Sequence, residues 1–515
     1  MTRSLRDLER WREQFPPLGF ADDGERLWGP VRWNKSAGEG HQTTEFTARV
    51  VISPGRTFPF APPKVTILDP GGPLEITFHI NADGSLCLWE DDWPADEAPW
   101  LDAQTLVDRI SGWLRQTATG WPGDNSCDLE RYLDQEEDDC RMLLYDATRL
   151  VSGQAVQTRG DRNTVVITDR ARQTRGIVNG RRRNRNERRL AWVAMIGKVE
   201  RPLQTWDDVA TALGDQATEV RRLITLGVVT VLLLQYNHGD AEAALALRAR
   251  PDVAGIRITA CESADTSSST RTMRAGLAGP ALAGIPVAVV GCGAIGSFTA
   301  DLLFRSGFRK LTLLDAERLR PGNVVRHLAG AQHVGLPKTD AVRNCLTTVD
   351  PDVTAVQSRY ERLTDLDTAL DLVRQHRVVV DATGSGRASS LLATAAALID
   401  SPAEHTVVSV CVQRDGDVLR VDRTPLRPGE NHLPPLALVD QASELRERGC
   451  GSPVSPTPPG AVVAAAELAL RAVIDEATGG HTLPATLADV RRPQGQPPFD
   501  RVGRVASEVP HRLAS

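Results

Sequence analysis

The tightest constraint in this chain is a glycine-rich loop, Gly291-Cys292-Gly293-Ala294-Ile295-Gly296, set between an apolar run and an amphipathic one. The run Pro286–Val290 is apolar throughout, as a strand buried on both faces of a parallel sheet requires, and residues 297–306 have helical periodicity. Small residues between the two let the chain turn sharply and bring a helix N-terminus, with its unpaired amides and positive dipole end, up to a phosphate. A second strand is predicted at Lys310–Leu314 and a later one at 377–380, so strand and helix alternate as in a doubly wound sheet. Asp315 ends the second strand, where a carboxylate reaches ribose hydroxyls. Loop and carboxylate suit a dinucleotide oxidoreductase as well as an ATP-using enzyme, so they decide the fold class and leave the chemistry open.

The residues downstream separate the two. Leu313-Leu314-Asp315 is followed by Asn323-Val324-Val325-Arg326, then Gly335-Leu336-Pro337-Lys338, then Val380-Asp381-Ala382-Thr383. In order and spacing, from about 273 to 480, this series resembles the adenylation domains of the ThiF, MoeB and ubiquitin-activating family. The resemblance implies ATP and magnesium as cofactors. It implies nucleotide-binding roles for Gly291, Gly293, Gly296, Asp315 (ribose), Asn323, Arg326 and Lys338 (phosphates), and for Asp381 as the carboxylate associated with magnesium. The chemistry suits these residue types, because attack of a carboxylate on the α-phosphate gathers negative charges that cations and a metal must offset. Glu317 departs from the second Asp of many relatives. For the Arg that the family supplies across a dimer from before the Gly loop, Arg271 and Arg274 are the candidates. Cys450, in Arg448-Gly449-Cys450-Gly451-Ser452-Pro453, falls where family members carry a thioester-forming cysteine, and its Gly and Pro neighbours predict an exposed loop. Cys411, in a strand-like run, and Cys292, inside the Gly loop, read as packing residues.

At 515 residues the chain is too long for one core, and roughly three domains are expected. Its 41% hydrophobic and 24% charged residues are ordinary for a soluble globular protein, and the net charge of -6 argues against a nucleic-acid partner, which calls for a basic surplus. The arginines at 181, 182, 183, 185, 188 and 189 form a local exception, either a dock for an acidic surface or a solvated face. The N-terminal segment has no apolar core, so neither a signal peptide nor an anchor is expected, and the apolar run 223–234 is too short to span a bilayer. Eight scattered cysteines without a Cys-x-x-Cys pair predict reduced thiols in a cytoplasm and no structural zinc.

The N-terminal 145 residues predict helix (5–14), strands (45–52 and 64–68), an irregular stretch, then helix (101–117), an α+β order, with the acidic run 134–139 as a domain edge. Phe58-Pro59-Phe60-Ala61-Pro62-Pro63-Lys64-Val65 is followed by Phe78-His79-Ile80-Asn81 and Asp83-Gly84-Ser85-Leu86-Cys87-Leu88, then Trp93-Pro94. From about 10 to 140 this resembles a ubiquitin-conjugating enzyme, which implies a nucleophilic Cys87. Proline is missing from the family's His-Pro-Asn triplet, and Asn81 stands two residues closer to the cysteine than in the eukaryotic enzymes. Asn81 either supplies the amide that stabilises an oxyanion or aligns with a later turn residue. His79 reads as structural, and Asp83, Asp91 and Asp92 are candidates for orienting an acceptor lysine.

The expected architecture is α/β overall: an α+β ubiquitin-conjugating-like domain (1–145), a mixed middle domain of unassigned role (146–272, with 264–271 a linker), and a doubly wound Rossmann-like ThiF adenylation domain (273–515). This order resembles the fused E1–E2 enzymes of bacterial CBASS antiphage operons. The resemblance implies activation of the C-terminal carboxylate of a ubiquitin-like protein or a CD-NTase, thioester capture at Cys450, transfer to Cys87 and conjugation to an acceptor protein's lysine. It also implies a homodimer through the adenylation domain, and no membrane partner is expected. The alternative is a sulfur-carrier adenylyltransferase of MoeB type with a non-catalytic E2-like binding module.

Overall fold

The computed structural model describes residues 8–35, 43–75, 78–81, 83–89, 93–94, 96–121, 128–174, 189–199, 201–238, 241–399, 404–436 and 455–508. It divides into two compact units, Met1–Ser267 and Ser268–Ser515. No helix among the described residues is long and apolar enough to cross a membrane.

The first unit begins with helical residues 8–12 and an antiparallel meander of Ala21–Asp22, Leu27–Lys35, Thr44–Ser53 and Lys64–Asp69. Leu27, Val31 and Trp33 alternate with exposed neighbours, as a strand with one wet face must, and share a core with Ala48, Val50 and Ile52. Helix Ala103–Ala118 covers that face with Leu106, Ile110, Trp113 and Leu114, spaced three or four apart. It starts at Asp102, whose carboxylate accepts from Thr105 N.

The rest of this unit is a mixed eight-stranded sheet in the order Gly255–Ala260, Ala241–Asp252, Val229–His238, Leu190–Lys198, Gln154–Gly160, Thr164–Ala171, Met142–Tyr145, Ser263–Asp265. Leu190–Lys198 and Val229–His238 run parallel, which demands a crossover, and helices Trp206–Leu213 and Ala217–Thr225 supply it. The apolar run 223–234 is therefore the end of a helix and most of a strand.

Both expected boundary stretches are structured, and the division between the two units falls inside the second, between Ser267 and Ser268. The acidic run 134–139 is pinned to the sheet: Glu136 and Asp138 pair with Arg250, Asp139 pairs with Arg141 and Arg248, and Ala260 exchanges backbone bonds with the 134–136 segment. The predicted linker 264–271 overlaps strand Ser263–Asp265 and helix Ser268–Met273, and its hydroxyls bond to partners: Thr266 Oγ1 donates to Tyr145 O, Ser268 Oγ to Asp350.

In the second unit the sheet order is Gln357–Arg359, Lys310–Leu314, Pro286–Val290, Val378–Asp381, Thr406–Gln413, Val418–Thr424, Thr486–Val490, Gly503–Ala506, with the first five parallel. Numbered along the chain, those five run 3-2-1-4-5, the order of a Rossmann-like doubly wound sheet. Val287 and Val289 face one core, with helices Ala294–Arg305, Lys338–Val349 and Pro459–Ala477. Ala288 and Val290 face the other, with Leu366–Gln375 and Gly386–Leu398. Burial on both faces is why these strands read as unbroken apolar runs. The order reverses between Pro286–Val290 and Val378–Asp381, so a crevice opens at their carboxyl ends.

Candidate functional sites

At that reversal lies a cavity of about 300 Å³. Gly291, Gly293, Asp315 and Lys338 line it, together with Glu317, Arg362, Thr383 and Arg387. The three glycines do different things. Gly291 has φ +87°, and a Cβ there would sit 2.9 Å from the backbone of Ala382 and Thr383. A Cβ on Gly296 would fall 1.8 Å from Gly291 O, so this position lets the helix start against the loop without itself lining the cavity. At Gly293 a Cβ would meet nothing within 4 Å, since the residue faces the open crevice.

Asp315 accepts Cys292 N at 2.8 Å and Glu317 N at 2.7 Å. Burial pushes its carboxyl above the usual carboxylate range, against those two amides. The Lys338 side chain is buried, and its Nζ donates to Glu317 at 2.6 Å. That bond holds the Glu317 carboxyl below its ordinary value. The departure noted at Glu317 thus places the counter-ion of Lys338 at the cavity mouth.

Other expected residues stand apart from the cavity. Asn323 accepts Arg320 N at the start of the turn Pro321–Arg326, and Arg326 donates to Ser455 O at 2.7 Å. Asp381 is buried at the end of its strand among hydroxyls: Thr383 Oγ1 donates at 2.8 Å and Ser389 Oγ at 2.5 Å, with Ser409 Oγ at 3.5 Å. Its neighbours Ala382 and Thr383 line the cavity. Arg271 is committed to Asp350 at 2.8 Å and Asp352 at 3.2 Å, while Arg274 is exposed. Burial pushes the Cys292 thiol well up and that of Cys411 to about 11, as packing residues would have it. Cys450 lies outside the described residues, as do the arginines at 181–188.

His327 had no signal in the sequence. Ala329 N donates to its Nδ1 at 3.0 Å, so Nε2 carries the proton and donates to Cys292 O at 2.9 Å. Burial pulls its pKa down to about 4, and the neutral ring ties the turn after Arg326 to the Gly loop.

In the first unit, Cys87 sits on a loop built around the backbone of His79. Cys87 N donates to His79 O at 2.9 Å and Trp113 Nε1 to the same oxygen at 3.0 Å, while His79 N donates to Tyr132 Oη at 2.8 Å. The His79 ring lies 4.0 Å from that of Trp121. Arg131 Nη1 reaches Cys87 Sγ at 3.4 Å. Asn81 turns its amide onto Ser85 Oγ at 3.0 Å and Leu86 O at 3.4 Å, inside a tight turn closed by Gly84. Asp83 is tied into the same turn by Ser85 and Lys64, which hold its carboxyl down at about 2. Asp91 and Asp92 lie outside the described residues.

Residues 278–467 match the model of the ThiF family. The chain is 52% identical over 60 residues to the uncharacterized protein y4oA of Sinorhizobium fredii, 12% of this chain and 10% of that protein. It is 37% identical over 81 residues to the ubiquitin-like modifier-activating enzyme 5 of Drosophila persimilis, 16% of this chain and 21% of that one. Among solved structures, E. coli MccB crystallised with ATP shares 18% identity at a TM-score of 0.34, covering 45% of this chain and 66% of that one. The chain thus spans between about a tenth and about a fifth of the length of these curated relatives, and just under two thirds of MccB. The region 278–467 is a ThiF family domain, and the chain is homologous over 81 residues to E1-like ubiquitin-like modifier-activating enzymes.

Proposed function

We propose that the chain is a fused activating and conjugating enzyme for a ubiquitin-like protein or a CD-NTase, acting in bacterial antiphage defence. The donor's C-terminal carboxylate attacks the α-phosphate of ATP and pyrophosphate leaves. Cys450 takes the acyl group as a thioester and AMP leaves; Cys87 receives it by transthiolation; an acceptor lysine resolves it to an isopeptide. The supporting observation is that Gly291, Gly293, Asp315 and Lys338 surround one cavity at the switch point of a ThiF family domain. The Gly-loop amides at the start of helix Ala294–Arg305 face phosphate, Asp315 takes the ribose, and Lys338 exchanges Glu317 for a phosphate oxygen. Arg326 and Asn323 take part if the turn Pro321–Arg326 moves toward the cavity, with Arg326 giving up Ser455 O. A homodimer through this domain is part of the reading, and the protein is placed in the cytoplasm.

Among the described residues no three His, Cys, Asp or Glu side chains form a metal cluster. Asp381 is buried with both carboxylate oxygens accepting from Thr383, Ser389 and Ser409, so it would hold magnesium only by giving up some of those bonds, with the rest of the ion's shell water and phosphate oxygens. Bound there, the ion would offset charge on the phosphates. Asp381→Ala is expected to abolish ATP–pyrophosphate exchange, and retained exchange would remove the metal assignment.

The direct test is incubation with ATP, magnesium and a candidate donor protein, followed by a non-reducing gel. Two thiol-sensitive adducts are expected. Cys450→Ala removes both, and Cys87→Ala removes the second and the final conjugate. An unchanged conjugate in Cys87→Ala sinks the conjugation step. Adenylate formation with no Cys87 adduct would instead favour a MoeB-type enzyme carrying a binding module.

A further inference from the structure

Late in the conjugating-like region, one segment clasps the Cys87 loop at two points. Helical turn Leu129–Tyr132 is anchored by the fully buried Leu129 and capped by Asp128, whose carboxylate accepts Glu130 N. From this turn Tyr132 Oη accepts His79 N, and Arg131 lays its guanidinium against Cys87 Sγ. His79 O in turn accepts Cys87 N, so the turn grips both the reacting atom and the backbone that aims it. Asn81, whose residue type suggested an oxyanion donor, spends its amide on Ser85 and Leu86 within its own turn. A cation from outside the motif, Arg131, thus lies within hydrogen-bond reach of the sulfur.

We propose that Arg131 is the counter-ion of the Cys87 thiolate, both when the sulfur attacks an incoming thioester and when it departs from its own. The proposal rests on the reading of Cys87 as an acyl carrier. In the first step a C–Sγ bond forms at the thioester carbonyl, the carrier's C–S bond breaks, and the electron pair leaves on the carrier's sulfur. In the second, the acceptor amine forms a C–N bond, the C–Sγ bond breaks, and the pair returns to Sγ; the amine's proton passes to water. Negative charge gathers on Sγ at the start of one step and the end of the other, and a guanidinium within hydrogen-bond reach favours both. The acyl group itself is neutral, so Arg131 would stabilise the free thiolate more than the loaded thioester and speed unloading as well as loading.

The test is the rate of Cys87 alkylation by iodoacetamide in the full chain, followed at the Cys87 peptide by mass spectrometry, which needs neither ATP nor a donor. Arg131→Met is expected to slow alkylation about threefold, because a rise of roughly one unit in thiol pKa cuts the thiolate fraction about tenfold while making the remaining thiolate more nucleophilic. Arg131→Lys, which keeps the charge, is expected to restore at least half of the lost rate, and both variants should melt with the wild type. A Met variant alkylated at the wild-type rate overturns the proposal, as does a Lys variant as slow as the Met variant, because loss of packing alone would then account for the change. Failure of the transfer reading shows elsewhere, as a missing Cys87 adduct in the donor assay.

Discussion

At the scale of single residues, the Gly loop illustrates how one motif holds three separate demands. Gly296 is required by packing, since any Cβ would collide with Gly291 O, so Gly296→Ala is expected to cost about 1–3 kcal/mol in urea denaturation. Gly293→Ala meets open space and an ordinary φ, and should change stability by less than about 0.5 kcal/mol while weakening ATP binding. Reversal of that order would mean the crevice is not where the nucleotide sits. His327 gives a second prediction at this scale. Its folded pKa, about 4, lies below the ordinary 6.5, so the native state binds fewer protons between those values and stability falls as pH drops through the window. The full loss is on the order of 3 kcal/mol, and the pH slope of unfolding should be shallower in His327→Gln. The glycines and Asp315 were legible because each obeys a local backbone or spacing rule. His327 and Arg131 were not, because what marks them is contact with residues 35 and 44 positions away.

Among the elements, those whose sequences carry their own instructions were read correctly. The strand Pro286–Val290 is apolar because both faces are covered, and Lys310–Leu314 is buried beyond its first residue for the same reason. Helix Ala103–Ala118 starts two residues later than its periodicity suggests, because Pro99–Leu101 forms a separate turn and Asp102 caps the first turn of the α-helix. Asp102→Ala should cost about 1 kcal/mol of stability, measured by thermal or urea unfolding, and Asp102→Asn much less. Segments with distant partners carry structure that composition alone does not show. The acidic run 134–139 looks like a solvated edge until Arg248 and Arg250, more than a hundred residues on, arrive beside it on the folded sheet. Likewise, the Ser- and Thr-rich stretch 264–271 has the composition of a linker and holds the division between the units, yet Thr266 bonds to Tyr145 within the first unit and Ser268 to Asp350 within the second.

For the molecule as a whole, the two units have separate cores. One set of apolar clusters lies within residues 1–267 and another within 268–515, so each unit has the buried apolar surface that independent folding requires. Neither candidate site therefore depends on the other unit's core. The switch-point cavity is lined wholly by residues of the second unit, and the Cys87 loop with its Arg131 contact lies wholly in the first. If the proposed division of labour holds, a fragment of residues 268–515 given the donor should retain ATP–pyrophosphate exchange and form the Cys450 adduct, but make no conjugate. A fragment of residues 1–267 should show Cys87 alkylation at the rate of the full chain and gain no adduct from ATP and donor alone. Mixing the two fragments at high concentration should restore some conjugate, more slowly than in the intact chain, because the fusion holds the two thiols at a high effective concentration. Loss of exchange in a folded 268–515 fragment would show that the first unit completes the adenylation site, and the separation argued from the cores would then fail at the level of chemistry.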